Sequence, residues 1–361
     1  MKAAVLREIK KPLSIEDVEV GRPGPREVLI RTHAAGICHS DLHFQTGAYF
    51  YPMPAVLGHE SAGVVEAVGD QVRYVKPGDH VITCLSVFCG ECEYCLRGRP
   101  SLCTKTGLQR GPGEPPRLAQ RGQVVHQFLD LSSYAEQMLV HEHAVVKIRE
   151  DMPLDRAALI GCGVTTGLGA VFRTAAVEVG DTMAVIGCGG VGLSAVQGGA
   201  IAGASRVIAV DTNPGKLELA RKFGATDAVN PADGDPVAQV REITRGGVDH
   251  AFEAIGLKVT AEQSFQMLKN GGTATVIGMI PIGTKVELHG VDFLFEKKIQ
   301  GCNMGSNRFR VDMPKYVDFY LAGKLNLDDL LSRRLSLAEV NEGFAAMERG
   351  EVARSVIVFD A

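Results

Sequence analysis

Twenty-four consecutive residues, Thr182 to Ser205, carry no charge, a length that would span a bilayer as a helix. Glycines at 187, 189, 190, 192, 198, 199 and 203 argue against that reading. They follow the apolar run Met183 to Ile186 and fit a strand, a tight turn and a buried helix of small residues. From about Gly161 onward, further apolar runs recur at Val207 to Val210, Ala228 to Val229, His250 to Phe252 and Thr273 to Ile277. A strand, helix, strand rhythm of this kind predicts a parallel, doubly wound α/β sheet.

The first half reads differently. Short β segments at Val28 to Thr32, Gly63 to Val68 and Asp79 to Thr83, the last after the turn Lys76-Pro77-Gly78-Asp79, predict a small antiparallel barrel. The tail beyond about Met304 ends in the strand-like run Ser355 to Phe359, which suits a return to that barrel. At 361 residues two domains are expected: residues 1–160 with 304–361, and residues 161–303. With 45% hydrophobic and 22% charged residues the chain is an ordinary globular protein. Against 42 acidic residues stand 38 basic ones, a net charge of -4 with no dense Lys/Arg tract; nucleic acid is therefore not expected as a partner. Nine cysteines, an odd number, and an opening MKAAVLREIK without an apolar core predict no secretory signal and a reducing, cytoplasmic setting.

Gly187-Cys188-Gly189-Gly190-Val191-Gly192 matches G-x-G-x-x-G between a strand and a helix. The first glycine permits the tight turn, the second lets a pyrophosphate reach the backbone, and the third allows close helix packing. The next strand ends in Asp211, at the distance where a carboxylate bonds the adenosine ribose hydroxyls. No arginine follows in Asp211-Thr212-Asn213-Pro214-Gly215-Lys216 to neutralise a 2′-phosphate, so NAD is expected over NADP.

Cys89, Cys92, Cys95 and Cys103 form C-x2-C-x2-C-x7-C, enough thiolates to close a tetrahedral shell, which describes a structural zinc lobe over about 89–103. Cys38 in GICHSDLH, His59 in GHE and Cys162 in GCG are a second set that spacing alone cannot join, although two thiolates and an imidazole are a known catalytic zinc set with one open position. Cys84, Cys188 and Cys302 read as small packing residues.

Together GICHSDLH, GHE, the four-cysteine lobe, IGCGVTTG and GCGGVG followed by VD resemble, in order and over essentially the whole chain, the zinc-dependent medium-chain alcohol dehydrogenase family. The resemblance implies a GroES-like β-barrel catalytic domain plus a Rossmann domain. It implies that Cys38, His59 and Cys162 hold a catalytic zinc with Glu60 close behind, that Asp41 orients His59, that Ser40 bonds the substrate oxygen, and that His43 completes a proton relay. Gly187, Gly189, Val191, Gly192, Asp211 and Lys216 would fit the dinucleotide, His39 and Arg354 its pyrophosphate, and Thr166 its nicotinamide side. By alignment the substrate wall would be Leu85, Leu108, Phe128 and Leu129, with Tyr49 near the rim. Two zinc ions per chain, a primary medium-chain or aromatic alcohol as substrate and a homo-oligomer, a dimer before a tetramer, without membrane contact are expected. The alternatives are oxidation of a formaldehyde-thiol adduct, for which the family's arginine position reads Gly107 here with Arg110 nearby, and a non-catalytic nucleotide-binding protein on the same fold.

Overall fold

A computed structural model describes residues 1–104, 107–111 and 113–359. The chain divides into two compact units, Met1–Cys162 with Arg308–Ala361, and Gly163–Asn307. The seams fall a few residues beyond the expected positions, so Cys162 belongs to the first unit.

The main sheet of the first unit runs in the order Val145–Lys147, His80–Thr83, Glu60–Val68, Glu27–Gly36, Arg354–Val358, Leu331–Leu335, with Gln137–His141 also paired to Glu27–Gly36. The tail does return: Val356, Ile357 and Val358 pair antiparallel with Gly36, Ala35 and Ala34. A second sheet joins His126–Gln127, Ala55–Val56, Lys2–Leu6 and Ser14–Asp17. Two strands are longer than their alternation suggests, Glu27–Gly36 against Val28 to Thr32 and Glu60–Val68 against Gly63 to Val68. The reason is burial on both faces. Ala34 and Ala35, and equally Glu60, Ser61 and Ala62, are all fully buried, which erases the in-out period that marks a half-exposed strand.

In the second unit, six parallel strands are ordered Asp227–Val229, Arg206–Val210, Thr182–Ile186, Val248–Glu253, Leu268–Val276, Lys298–Gly301. The order reverses beside the central strand Thr182–Ile186, the switch point where open α/β sheets bind ligands. Ala184, Ile186, Ile208, Val210, Ala251 and Phe265 pack the core, each large side chain contributing ~1.5–3 kcal/mol by leaving water. The uncharged segment resolves into strand Thr182–Ile186, a turn and helix Gly190–Ala202, nine of whose residues are buried. Another helical stretch, Leu154–Ala175, is long and apolar enough to cross a membrane, but 83% of its most apolar window is buried inside the protein; it is a core helix.

Candidate active site and metal centres

Strand register assembles the first cluster. Gly36 pairs with Glu60 across two antiparallel strands, so Cys38, two residues past one strand end, and His59, one before the other strand's start, emerge at the same edge. Cys162 arrives on the helical stretch that begins at Leu154. Gly161 lets that stretch touch the sheet: a Cβ there would stand 3.0 Å from Thr83 O, 3.1 Å from Ser61 N and 3.5 Å from the Glu60 Cα. The ligand atoms of Cys38, His59 and Cys162 lie within 4.8 Å of one another, and all three residues are buried.

Asp41 sits behind this cluster with no exposure. Its Oδ1 accepts from Gly58 N at 2.9 Å and lies 3.2 Å from His59 Nδ1, while Oδ2 accepts from the Tyr134 hydroxyl at 2.9 Å. A carboxylate only accepts, so Nδ1 carries the ring hydrogen and Nε2 presents its lone pair. That Nε2 is buried with no hydrogen-bond partner, the signature expected of a metal ligand rather than a core histidine. Against burial, the charges of Asp41 and Cys38 raise the His59 pKa well above the ordinary value, so an ion bound at Nε2 would take the place of a proton there. A hydrogen bond from Cys162 and the charge of Arg354 hold the Cys38 thiol well below its usual range against burial, and the same shared hydrogen bond pushes Cys162 up. A dication between the sulfurs would let both ionise. The donor set and the unsatisfied Nε2 therefore fit a zinc ion.

Glu60, also fully buried, has Oε2 3.6 Å from Arg354 Nη2, and Arg354 donates to Ile37 O at 3.1 Å. Arg354, expected at the pyrophosphate, is only 5% exposed and turns its guanidinium inward beside the thiols. Ser40 Oγ is 3.6 Å from Cys38 Sγ. His43, near the end of helix His39–Gln45, has its pKa lowered by burial against the opposing charge of Cys38; His39, first in that helix, is exposed.

The second cluster is local. Sulfur separations are 3.5 Å for Cys89 and Cys103, 3.6 Å for Cys92 and Cys95, 3.8 Å for Cys92 and Cys103, and 3.9 Å for Cys89 and Cys95. A tetrahedron with 2.3 Å zinc-sulfur arms has edges of about 3.8 Å, so the four thiols already stand at the corners. Backbone N–H of Cys89 and Cys92 donate to the sulfurs of Cys103 and Cys89 at 3.1 and 3.3 Å. Backbone N–H donors at Cys95 and Thr104 pull Cys92 down to about 6, whereas burial pushes Cys95 up to about 12 with the neighbouring thiols adding to it.

In the second unit Gly187 takes φ +95, and a Cβ on Gly192 would collide with Gly187 O, whereas one on Gly189 would meet nothing within 4 Å. The first and third glycines thus make the turn and the helix contact, and the second leaves open backbone. Gly190–Ala202 begins there, with Val191 and Gly192 in its first turn. Asp211 accepts from Cys188 N at 2.7 Å and from Asn213 N at 2.9 Å. It is not the cap of the next helix, because Asn213 is, accepting from Gly215 N. Lys216 is half-buried in that helix. Thr166 is 7% exposed and donates to Met304 Sδ at 3.4 Å.

The expected substrate wall separates into two clusters. Phe128 is fully buried, its ring 6.0 Å from His59 and 4.8 Å from Phe44, with half-buried Leu129 in the same group; Tyr49 lies 6.0 Å from His43 and 5.8 Å from Phe44. Leu85 and Leu108 instead pack with Val87 and Leu131. Arg110 donates through Nε to Glu27 Oε1 at 3.1 Å and through Nη2 to Glu27 Oε2 at 2.5 Å, while Arg117 reaches the same carboxylate at 2.7 Å. These two arginines hold Glu27, despite burial, down at about 2. Sequence reasoning missed that triad, the Glu60 to Arg354 pair and Tyr134, none of which has a local spacing signal.

The alcohol dehydrogenase GroES-like domain family matches residues 24–150, and the zinc-binding dehydrogenase family matches residues 190–322. The class-3 alcohol dehydrogenase of Drosophila melanogaster is 40% identical, covering 99% of this chain and 97% of its own. Among solved structures, an alcohol dehydrogenase zinc-binding domain protein from Burkholderia ambifaria has a TM-score of 0.95 at 37% identity, covering 100% of this chain and 99% of its own. The benzyl alcohol dehydrogenase of Acinetobacter calcoaceticus has a TM-score of 0.94 at 33% identity, covering 99% of each. Likeness at this level over both units, added to two thiol clusters suited to zinc and a glycine turn suited to a dinucleotide, has one meaning: the chain belongs to the zinc-dependent medium-chain alcohol dehydrogenases, oxidoreductases that work with zinc and a nicotinamide cofactor.

Proposed function

We propose that this enzyme oxidises primary alcohols with medium-length or aromatic apolar groups to aldehydes, reversibly, with NAD as acceptor. The observation that carries the reading is the buried triad Cys38, His59 and Cys162 with its unsatisfied Nε2, bordered by the ring of Phe128. Zinc held by Cys38, His59 and Cys162 would supply Lewis-acid polarisation of the alcohol oxygen, and a bound nicotinamide cofactor would supply the hydride acceptor. Two thiolates balance the charge of a dication, and Asp41 fixes the His59 tautomer. Ser40 Oγ would accept the alcohol proton as its own hydroxyl proton moves on toward His43, whose pKa burial lowers, and His43 would release it to solvent. Asp211 keeps lone pairs beyond its two backbone donors, free for ribose hydroxyls and repulsive to a 2′-phosphate. The pyrophosphate would lie over Gly189, where a Cβ would meet nothing within 4 Å.

Alcohol preference follows from Tyr49, Phe128 and Leu129, whose apolar surface favours hydrocarbon at ~25 cal/mol per Å². The class-3 relative favours the second reading, oxidation of a formaldehyde-thiol adduct. Against it stands Arg110, the cation nearest in sequence to Gly107, which is committed to Glu27, Arg22 O and Pro115 O; a carrier's carboxylate would have to displace a buried ion pair. A homodimer is supported by the edge strand Lys298–Gly301 and the exposed Val291, Phe293 and Leu294 beside it in sequence, and a cytoplasmic setting by nine cysteines none of which is joined in a disulfide. The test is kcat/KM for ethanol, hexanol, benzyl alcohol and formaldehyde with a thiol carrier, under NAD and under NADP. Hexanol and benzyl alcohol with NAD should lead; a tenfold lead for the thiol adduct, about 1.4 kcal/mol of transition-state preference, would transfer the assignment to the second reading.

A further inference from the structure

Tyr134 is the largest fully buried side chain of the first unit, and its hydroxyl bonds the carboxylate behind His59 rather than the core around it. The ring packs with Leu57, Phe344 and Ile357, where a phenylalanine would serve equally well. The hydroxyl, however, donates to Asp41 Oδ2 at 2.9 Å, with Gly36 O farther off at 3.3 Å. Asp41 is wholly buried, and its donors are Gly58 N and His59 Nδ1 on Oδ1 and Tyr134 on Oδ2. Gly58 and His59 are adjacent, so both hold the same oxygen from one side, and among the described residues the phenol alone pins the other.

A carboxylate held on one oxygen only can rotate about its Cβ–Cγ bond and withdraw Oδ1 from the imidazole. Held on both, it presents Oδ1 to Nδ1 in a single orientation, and the ring can turn Nε2 only toward Cys38 and Cys162. We propose that Tyr134 is a positioning residue for His59: its hydroxyl locks the Asp41 carboxylate so that the ligand ring is pre-set before any metal arrives. Partners behind ligating histidines typically change metal affinity or activity by 10–100-fold when removed, and Tyr134 stands one partner further back, acting through Asp41. The inference rests on the zinc reading of Cys38, His59 and Cys162.

Tyr134→Phe removes the hydroxyl and keeps the ring. The four-cysteine lobe, which does not touch Tyr134, is an internal reference within the same molecule. Holoenzyme is mixed with a zinc chelator and the release of the two ions is followed separately, alongside the visible spectrum of the cobalt-substituted cluster at Cys38, His59 and Cys162. The variant should release the ion at His59 about tenfold faster, leave lobe release unchanged, and shift the cobalt bands. Asp41→Asn combined with Tyr134→Phe should release no faster than Asp41→Asn alone. Wild-type release at both sites, faster release of both ions together as in general loosening, or additive effects in the double variant would each overturn the proposal. If the phenylalanine variant does not fold, fluorotyrosine at position 134 keeps the donor and alters its strength; release at His59 should then change while the lobe holds, and no change overturns the proposal. A wild type holding metal only in the lobe would instead defeat the zinc reading itself.

Discussion

The two thiol clusters of the first unit hold comparable ligands by opposite means. The lobe at Cys89, Cys92, Cys95 and Cys103 takes all its donors from one short loop, leaves them half-buried, and borrows backbone N–H groups to orient its sulfurs. At Cys38, His59 and Cys162 the donors come from two strand ends and a helix, are buried, and are backed by Asp41, Glu60, Arg354 and Tyr134. A closed shell of four thiolates has no position for a substrate, whereas three donors leave one. The difference teaches that burial and charged backing accompany the site that must do chemistry, and local chain geometry suffices for the one that only ties a loop.

Breaking one ligand in each cluster tests this most severely. Cys38→Ser should cost at least about 10³-fold in kcat/KM, roughly 4 kcal/mol or more, and release one metal with melting little changed. Cys92→Ser should release the other metal and lower stability by roughly 2–4 kcal/mol while surviving molecules still turn over. Calorimetry and elemental analysis decide, and equal effects of the two changes on folding would erase the distinction.

Next in size is Glu27, whose two arginine partners flank the chain just beyond the lobe; Arg117 also donates to Leu108 O. Its folded pKa of about 2 lies below the ordinary carboxylate value, so its contribution is complete above about pH 4.5 and is lost as pH falls toward 2. Glu27→Gln should be less stable than wild type by roughly 3 kcal/mol at pH 7, a gap that denaturant titrations should show narrowing between pH 5 and 3. A gap that stays constant with pH would show that the carboxylate's charge is not what holds the segment.

Asp211→Ser, in the other unit, should leave both metals in place while shifting the NAD to NADP preference by about 10–100-fold in kcat/KM, ~1.4–2.7 kcal/mol. Loss of either metal would mean that the clusters depend on more than their own unit. Smallest is His43→Gln, expected to slow alcohol oxidation by about tenfold, more at lower pH, with zinc content unchanged. Zinc loss there would make His43 part of the metal-holding set and blur the line between proton handling and ligation.

What was legible in the sequence tracks how local each feature is. The lobe, the glycine turn and Asp211 are read from neighbours a few residues apart, and strand, turn and helix at Thr182–Ala202 follow from them. The catalytic cluster was legible only through family resemblance, since no spacing joins Cys38 to Cys162. Tyr134 and Asp41 are 93 residues apart, Arg110 and Glu27 83, Arg117 and Glu27 90. Such partners meet through tertiary packing, which leaves no period in the chain. The strand ends at Gly36 and Glu60 were hidden for another reason, burial on both faces.

The pairing of Gly36 with Glu60 also makes the cluster a proofreader of folding. Side chains alternate between sheet faces, so a slip of one residue between these strands would send successive side chains to the opposite face. Cys38 and His59 would then part company, and no ion could bridge them. A chain in the wrong register would hold metal only in the locally built lobe and be inactive, distinguishable from a correctly paired neighbour of the same sequence by a metal count of one in place of two.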